Sequence, residues 1–517
     1  MPEVQSALPI AICVIPAALA AVTYPLARSA RPLGPILNLI GAAVATILAG
    51  AIALQAIGGQ VLVSLSRELR ADALSALLVL VISGVSLAAA VYSFSYMRLE
   101  TLLERVSGEA GPEVTKRRLA SFYALSLAFL TTMLWACVTN NIIMLYVAVE
   151  GTTIASGLLV AFYWDRRSLE ASYKYLLLLT VGIAFALFGC VFLYASAAHY
   201  MPEGAGVRAM LISDLPEVTA HIPHGIALLI LAFFIVGFGT KSGLAPFHAW
   251  LPDAYAESPG PVSAVLSAVA SKMAIYALVR TLAIFFPVAA YHPVALLVVV
   301  LSVFTMLLGG VMCLAQDDLK RMIAYSSISQ MGYIAMGFGL VGLGFGGAAG
   351  YLGAYGGLFH LLTHVLSKAA LFLAAGAIIY TTAGRRMSEL SGLARRMPVT
   401  AVAFFVAAFA ISGIPPFNGF WSKLTLYLAA AKVELWWAVG IAVATSLLTL
   451  IAFVRAGYQV FWSDGDSEVA EPEVRDAPAA MLVPMGVLAA LCVVLGIFPQ
   501  LVHPLLDRAA RALAGIF

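Results

Sequence analysis

Apolar runs of roughly 20 residues recur along the whole chain, and they constrain the fold more than any other feature of the sequence. A helical run of this length matches the hydrocarbon thickness of a bilayer. We count about fourteen runs, near residues 7–27, 33–57, 72–97, 119–138, 141–164, 171–196, 226–251, 261–285, 291–315, 320–341, 349–380, 398–429, 434–457 and 479–500. With 62% of its residues hydrophobic and only 11% charged, the chain is predicted to be an all-α polytopic membrane protein.

The segments between the runs are too short to hold a separate catalytic domain. The longest are predicted at residues 98–118, 197–225 and 458–478. The N-terminal residues MPEVQS lack the basic region of a signal peptide, so we expect the first run to remain as a helix. A soluble enzyme attached to a membrane anchor is therefore excluded.

The cysteines argue against metal clusters and disulfides. They lie singly within apolar runs, at Cys13, Cys137, Cys190, Cys313 and Cys492. Because no CxxC or comparable spacing occurs, iron–sulfur clusters, structural zinc and a disulfide framework are not predicted. We expect no metal site and no bound cofactor in this chain.

Arginine is distributed unevenly among the predicted loops. Pairs of consecutive arginines lie in or beside odd-numbered loops, at Arg117, Arg118, Arg166, Arg167, Arg385, Arg386, Arg395 and Arg396. Basic residues favour the cytoplasmic side of a membrane protein. We therefore predict that odd-numbered loops lie in the cytoplasm, that both termini lie outside, and that the protein resides in a bacterial cytoplasmic membrane.

Two of the predicted helices contain proline breaks. The seventh is broken at Pro246 in GTKSGLAPFHAW, and the twelfth at Pro415 and Pro416 in SGIPPFNGFWSK. Proline lacks a backbone donor and interrupts a helix. The two breaks are five helices apart, which predicts two five-helix repeats, helices 4–8 and 9–13. Because five is an odd number, these repeats have opposite orientations, as in many transporters.

The predicted repeats divide the chain into four regions. Residues 1–118 form an N-terminal three-helix region, and residues 119–286 form the first repeat. Residues 287–458 form the second, inverted repeat, and residues 459–517 form a C-terminal loop and the last helix.

Lysine, unlike arginine, is predicted inside the membrane. Five of the eight lysines fall within predicted spans, at Lys174, Lys241, Lys272, Lys368 and Lys423. An ionisable residue within a span is costly and by default functional. A buried lysine changes its protonation state readily, whereas arginine stays charged. This distribution predicts that the lysines gain and lose protons within the membrane.

Glu150 is predicted about ten residues into the fifth span, at a depth similar to that of Lys241. We expect these two residues to be partners. Two interpretations stay open, a static buried ion pair and a switch in which movement of Glu150 changes the proton affinity of Lys241.

His360, His364 and Lys368 form one polar stripe, because they lie at positions i, i+4 and i+8 of a single helix. An HxxxH pair is able to bind a metal, but the lysine one turn further would repel the cation. The other interpretations are core histidines bonded to backbone carbonyls and a proton relay completed by water. The relay fits this stripe best.

Further residues are candidates for extending the relay. Lys272 lies on the eighth helix, and Lys174, which enters the sixth, either continues the line or extends to the surface. His248, Asp253 and Glu257 follow the first break and either line a proton entrance or are solvated loop residues.

Four long motifs occur in one order in the chain: GTKSGLAPFHAWLPDAYAESPGPVSA, QDDLKRMIAYSSISQMGY, HLLTHVLSKAALF and SGIPPFNGFWSK. They resemble the antiporter-like proton-translocating subunits of respiratory complex I, group 4 membrane-bound hydrogenases and Mrp-type cation/proton antiporters. The resemblance covers roughly residues 70–460. It implies a fourteen-helix fold with inverted repeats.

The resemblance also implies roles for individual residues. Glu150 and Lys241 match the family's glutamate–lysine pair, and Lys368 matches its central lysine, with His360 and His364 beside it. Lys423 matches the terminal charged residue of the twelfth helix. The segment VEGTTIASGLLVAFYWDRRSLEASYKYLLLLTVGIAFALFG most resembles the large hydrogenase-4-type subunit, in which glutamate is usual where this chain has Lys423.

The leading functional hypothesis is a proton-translocating subunit of a redox-driven complex, either complex I-like or hydrogenase-4-type. The alternative is a subunit of an Mrp-type sodium/proton antiporter without redox partners. Both predict other membrane subunits as partners and use the same intramembrane residues. A membrane enzyme acting on lipid or quinone is disfavoured by the short loops, and a purely structural subunit by the cost of buried charge.

Overall fold

The computed structural model describes residues 2–30, 32–98, 112–201, 206–463 and 475–516. Parts of the three long predicted loops fall outside these ranges. The helices are α1 Leu8–Ser29, α2 Leu33–Ile57, α3 Ala73–Tyr96, α4 Pro112–Val138, α5 Ile142–Val160, α6 Arg166–Tyr200, α7 His224–Ser242, α8 Leu251–Glu257, α9 Gly260–Ala283, α10 His292–Leu314, α11 Leu319–Leu343, α12 Ala348–Thr382, α13 Pro398–Ser412, α14 Asn418–Lys432, α15 Trp436–Phe461, α16 Ala479–Ile497 and α17 His503–Ala514.

Every predicted apolar run contains α-helix, although the run near 226–251 also includes the non-helical residues 243–250. Twelve helices in the described part of the chain are long and apolar enough to cross a membrane. The run near 320–341 forms α11, which has 25 residues but carries several polar side chains. The run near 398–429 is divided between α13 and α14, which have 15 residues each.

Helices α9 and α12 form the centre of the bundle. The most apolar stretch of each is 94% buried, more than in the other ten candidate spans. Close packing depends on small residues. At Gly337 on α11, for example, an added Cβ atom would lie 2.7 Å from the backbone of Gly353 and of Gly357 on α12. The central helices are thus shielded from lipid by their neighbours.

At each of the two predicted breaks a helix ends and is followed by a glycine with positive φ and a cis peptide bond to proline. Helix α7 ends at Ser242, followed by Gly243 with φ of 78° and the cis peptide bond to Pro246. Helix α13 ends at Ser412, followed by Gly413 with φ of 84° and the cis bond between Pro415 and Pro416. Each glycine occupies the left-handed region, which other residues rarely adopt.

A small sheet, absent from the all-α prediction, lies near the N-terminus. Strand β1 (Glu3–Gln5) pairs in parallel with β2 (Val61–Ser64), which pairs antiparallel with β3 (Leu69–Ala71). The strands have three or four residues, too few for a visible alternation of apolar and polar positions. Their pairing depends on contacts between distant parts of the chain.

The last helix, α17, was also not predicted, because it is amphipathic and too short to span a membrane. Its Asp507 accepts a hydrogen bond of 2.6 Å from the hydroxyl of Tyr351, at the start of α12, and pairs with Arg511. The backbone N–H of Gly346 donates to the carbonyl of Ala514 at 2.8 Å. Helix α17 therefore covers the end of the bundle where α12 begins.

Candidate functional site

Thr153 connects Glu150 to Lys241. The ammonium of Lys241 donates to Thr153 Oγ1 at 2.8 Å, and this hydroxyl lies 3.2 Å from Glu150 Oε2. The described residues include no direct ion pair within 4.0 Å between Glu150 and Lys241. The expected partnership is therefore indirect, with one hydroxyl group between the two charged residues.

Both charged residues have additional hydroxyl partners. Lys241 is 2% exposed and lies 3.4 Å from the hydroxyl of Tyr175, which is 2.6 Å from Ser156 Oγ. Thr180 donates to the other oxygen of Glu150 at 3.0 Å. Hydroxyl groups both donate and accept hydrogen bonds, so this arrangement is able to pass a proton.

Replacing Thr153 with valine should reduce proton translocation about tenfold, because the loss of a hydrogen bond to a charged group costs roughly 1.5–3 kcal/mol. The measurement is proton uptake by proteoliposomes that contain the assembled complex. Thr152→Val is the matched control, since Thr152 is equally buried but its hydroxyl donates to the carbonyl of Val149. Equal rates for both variants would rule out a specific role for Thr153.

A π-helical turn, Leu266–Ala270, interrupts α9 next to Lys272. Lys272 is fully buried and donates to the carbonyl of Ser267 at 2.5 Å and to Ser271 Oγ at 3.1 Å. A π-helical turn changes the backbone hydrogen-bond register and is often found at functional sites. Here it contributes the carbonyl that binds the lysine ammonium.

Two consecutive serines of α11 lie between Lys272 and Lys368. Ser327 is 3.0 Å from Ser267 Oγ on the turn that binds Lys272. Ser326 accepts a hydrogen bond from Lys368, which also donates to the carbonyl of Ile323 at 3.2 Å. Helix α11 therefore contacts both lysine environments through adjacent side chains.

His360 is held at both ring nitrogens. Its Nε2 lies 3.1 Å from Gln330 Oε1, and its Nδ1 lies 3.0 Å from Ser422 Oγ on α14. The amide nitrogen of Gln330 donates to Thr449 Oγ1 at 3.3 Å. The imidazole is thus bonded to α11 and α14, and Gln330 in turn connects it to α15.

Lys423 lies at the second break. It donates to Ser446 Oγ at 2.8 Å and to the carbonyl of Ser412, the last residue of α13, at 3.3 Å. Its ammonium is 4.6 Å from the centre of the Tyr333 ring, a cation–π distance. Lys241 precedes its break whereas Lys423 follows the other, so the two lysines occupy different sides of the breaks.

His364 differs from its neighbours on the polar stripe. Both of its ring nitrogens are buried without a hydrogen-bond partner in the described residues, as are the amide atoms of Asn418 and the hydroxyl of Thr363. His364 is one turn after His360, and Asn418 is one turn before Ser422. Buried polar groups of this kind are commonly satisfied by water. A relay completed by water would need unpartnered polar atoms of this kind.

Of the four other predicted relay residues, Lys174, Asp253 and Glu257 lie in ion pairs, whereas His248 does not. Lys174, whose side chain is 46% exposed, pairs with Glu170 at 2.7 Å and with Asp253 at 3.4 Å. Glu257 binds Arg385 at 2.7 Å. His248 is partly buried, and its Nδ1 has no partner in the described residues. The structure therefore brings Lys174 together with Asp253, and not with Lys241 or Lys272.

Besides Lys320, which donates to the carbonyl of Ser258, four lysines are buried among the described residues, Lys241, Lys272, Lys368 and Lys423, and all four have neutral hydrogen-bond partners. Their hydrogen bonds go to hydroxyl and carbonyl oxygens. Sequence analysis identified the lysines, but it missed the polar partners Thr153, Ser267, Gln330 and Ser446. Nothing distinguishes these four from the many hydroxyl and amide side chains of other helices. Only their proximity to a lysine or histidine identifies them.

No group of three or more His, Cys, Asp or Glu side chains within the described ranges is arranged to hold a metal ion. The arrangement suits proton transfer between side chains, since lysine, histidine and hydroxyl groups all exchange protons.

Comparison with known proteins gives two family matches. The family described as "NADH:quinone oxidoreductase/Mrp antiporter, TM" matches residues 139–449, and that described as "NADH-Ubiquinone oxidoreductase (complex I), chain 5 N-terminus" matches residues 61–105. The first match includes every buried lysine and both helix breaks.

Similar proteins occur in several kinds of membrane complex. The chain is 35% identical to NADH-quinone oxidoreductase subunit N of Desulforudis audaxviator, over 84% of this chain and 82% of that protein. It is 34% identical to a hydrogenase-4 component F homolog of Methylacidiphilum infernorum, over 73% and 77%. A subunit in the structure of the Mrp complex from Dietzia sp. DQ12-45-1b is 25% identical, with a TM-score of 0.83 over 98% and 97% of the two chains.

Proposed function

Because the chain belongs to the NADH:quinone oxidoreductase/Mrp antiporter family of integral membrane subunits, we propose that it translocates protons within a redox-driven membrane complex. That complex is either a complex I-like NADH:quinone oxidoreductase or a hydrogenase-4-type enzyme. The observation that carries the proposal is the row of buried lysines, Lys241, Lys272, Lys368 and Lys423, each bound to neutral oxygens.

Electrostatics gives this row a mechanism. Positive charges repel each other strongly in a medium of low dielectric constant. A proton that arrives at one lysine therefore favours release from a neighbouring protonated lysine. Movement of Glu150 relative to Thr153 would change the stability of the charge on Lys241 and start the transfer. His360 and His364, with water, would pass protons between Lys368 and Lys423.

We propose that the electron-transfer reactions take place in partner subunits and that this chain binds no cofactor. We propose that the protein resides in a bacterial cytoplasmic membrane. The arginine distribution supports an orientation with odd-numbered loops in the cytoplasm and both termini outside. Residues 119–286 and 287–458 are the proposed inverted repeats, and the two similar breaks after Gly243 and Gly413 support this division.

The alternative is a sodium/proton antiporter subunit of the Mrp type, which the similarity to the Dietzia structure favours. Purification of the tagged chain from its native membrane distinguishes the two. Subunits that react with NADH, quinone or hydrogen, and proton uptake driven by their substrates, would support the first function. Small antiporter subunits and sodium-driven proton movement without a redox reaction would support the second. Proteoliposomes that move neither ion would contradict both.

A further inference from the structure

A crevice of about 410 Å³ lies between α4 and α5, outside the lysine row. One end is lined by Arg117, Arg118 and Trp164, which belong to the arginine-rich side of the chain. The rest is lined by Phe122, Leu125, Leu158, Leu159 and Phe162, with Ser121 and Val114 near the arginines. The crevice is thus basic at one end and apolar along its length.

The basic end has positive charge available for a ligand. Arg117 is exposed and has no hydrogen-bond or ion-pair partner among the residues that the structure describes. Arg118 donates to the carbonyl of Tyr163 at 3.3 Å, and its guanidinium lies 5.9 Å from the Trp164 ring. A carbonyl and an aromatic ring position Arg118 without cancelling its charge.

No acidic side chain lines the crevice in the described part of the chain. The acidic residue in the first turn of α4 is Glu113, which pairs with Lys116. Among the described residues, the two arginines therefore face the crevice as a pair of positive charges with no acidic residue opposite them.

We propose that this crevice binds one anionic phospholipid, with its phosphate at Arg117 and Arg118 and an acyl chain against Leu125 and Leu159. Arginine binds phosphate through two parallel hydrogen bonds. Tryptophan favours the level of lipid headgroups, so Trp164 marks the depth of the phosphate.

Fluorescence quenching of Trp164 tests the site. The complete purified assembly is reconstituted in vesicles in which either phosphatidylglycerol or phosphatidylcholine carries a brominated acyl chain. Because the chain has seven tryptophans, the fluorescence of the Trp164→Phe variant is subtracted from that of the unmodified protein. The difference is the signal of Trp164. We expect brominated phosphatidylglycerol to quench this signal at a concentration about tenfold lower than phosphatidylcholine, as expected for two basic residues near anionic lipid.

The double variant Arg117→Gln, Arg118→Gln should remove this preference, so that both lipids quench equally. The matched control is Arg395→Gln, Arg396→Gln, a second pair of consecutive arginines outside the crevice, which should retain it. Equal quenching by both lipids in the unmodified protein would overturn the proposal, as would a preference that survives in the first double variant. Neither result depends on proton translocation, so the test is independent of the proposed function.

Discussion

Replacing Lys241 with methionine in the assembled complex should reduce proton translocation at least tenfold. Methionine preserves most of the side-chain length but cannot carry a proton. Its thioether cannot donate to Thr153 or Tyr175, which bind the ammonium at 2.8 and 3.4 Å. Proton uptake by proteoliposomes and the driving redox reaction, or sodium exchange, are measured separately. We expect the rate of proton uptake to fall by a larger factor than the rate of the driving reaction. Any turnover of the driving reaction that is not coupled to proton movement would continue.

Lys174→Met is the matched control for this experiment. Lys174 also lies in a predicted span, but its side chain is 46% exposed and pairs with Glu170 and Asp253. Exposed ion pairs contribute about 0–1 kcal/mol, so we expect proton uptake to change less than about twofold. If Lys241→Met assembles normally and pumps at the unmodified rate, the proposed proton path through Lys241 is wrong.

Replacing Gly419 with valine should destabilise the second helix break by about 3 kcal/mol, because it inserts atoms into a closely packed site. A Cβ atom at Gly419 would lie 1.8 Å from the carbonyl oxygen of Ala410, on the other side of the break. The backbone would have to move, and the carbonyl of Ser412 that binds Lys423 would move with it. The measurements are the yield and melting temperature of the purified complex.

Gly440→Val provides the comparison for the same change of side chain. Gly440 is an exposed residue of α15, and an added Cβ atom would meet nothing within 4 Å. We expect yield and melting temperature close to those of the unmodified protein. Similar losses in both variants would show that valine acts through helix propensity and not through crowding at the break.

The fold was predictable because a helix that crosses a membrane is recognised from local sequence. The runs that form α1 and α2, for example, are apolar enough by themselves to indicate spans. The pairing of β1 with β2 joins residues 3–5 to residues 61–63 and had no local signal. Helix α17 was missed for a related reason, since its apolar face is defined by contacts with α3 and α12.

The candidate site was predictable only in part. A lysine inside an apolar run is conspicuous because it is costly to bury, and Lys241, Lys272, Lys368 and Lys423 are all buried. Lys174 satisfied the same rule and is exposed, since sequence position does not reveal which side of a helix faces the bundle. Serine and threonine give no comparable signal, because their hydroxyls often bond to carbonyls of their own helix.

The sequence alone determined that this chain forms a helical membrane bundle with two broken helices and lysines in its interior. Apolar length, proline and the cost of burying charge are properties of short segments. The position of Thr153 between Glu150 and Lys241, and of Ser326 and Ser327 between Lys272 and Lys368, depends on how distant helices pack together. Thr153 and Lys241 are 88 positions apart, and a hydrogen bond between them exists only because α6 packs against both α5 and α7 and brings their side chains together.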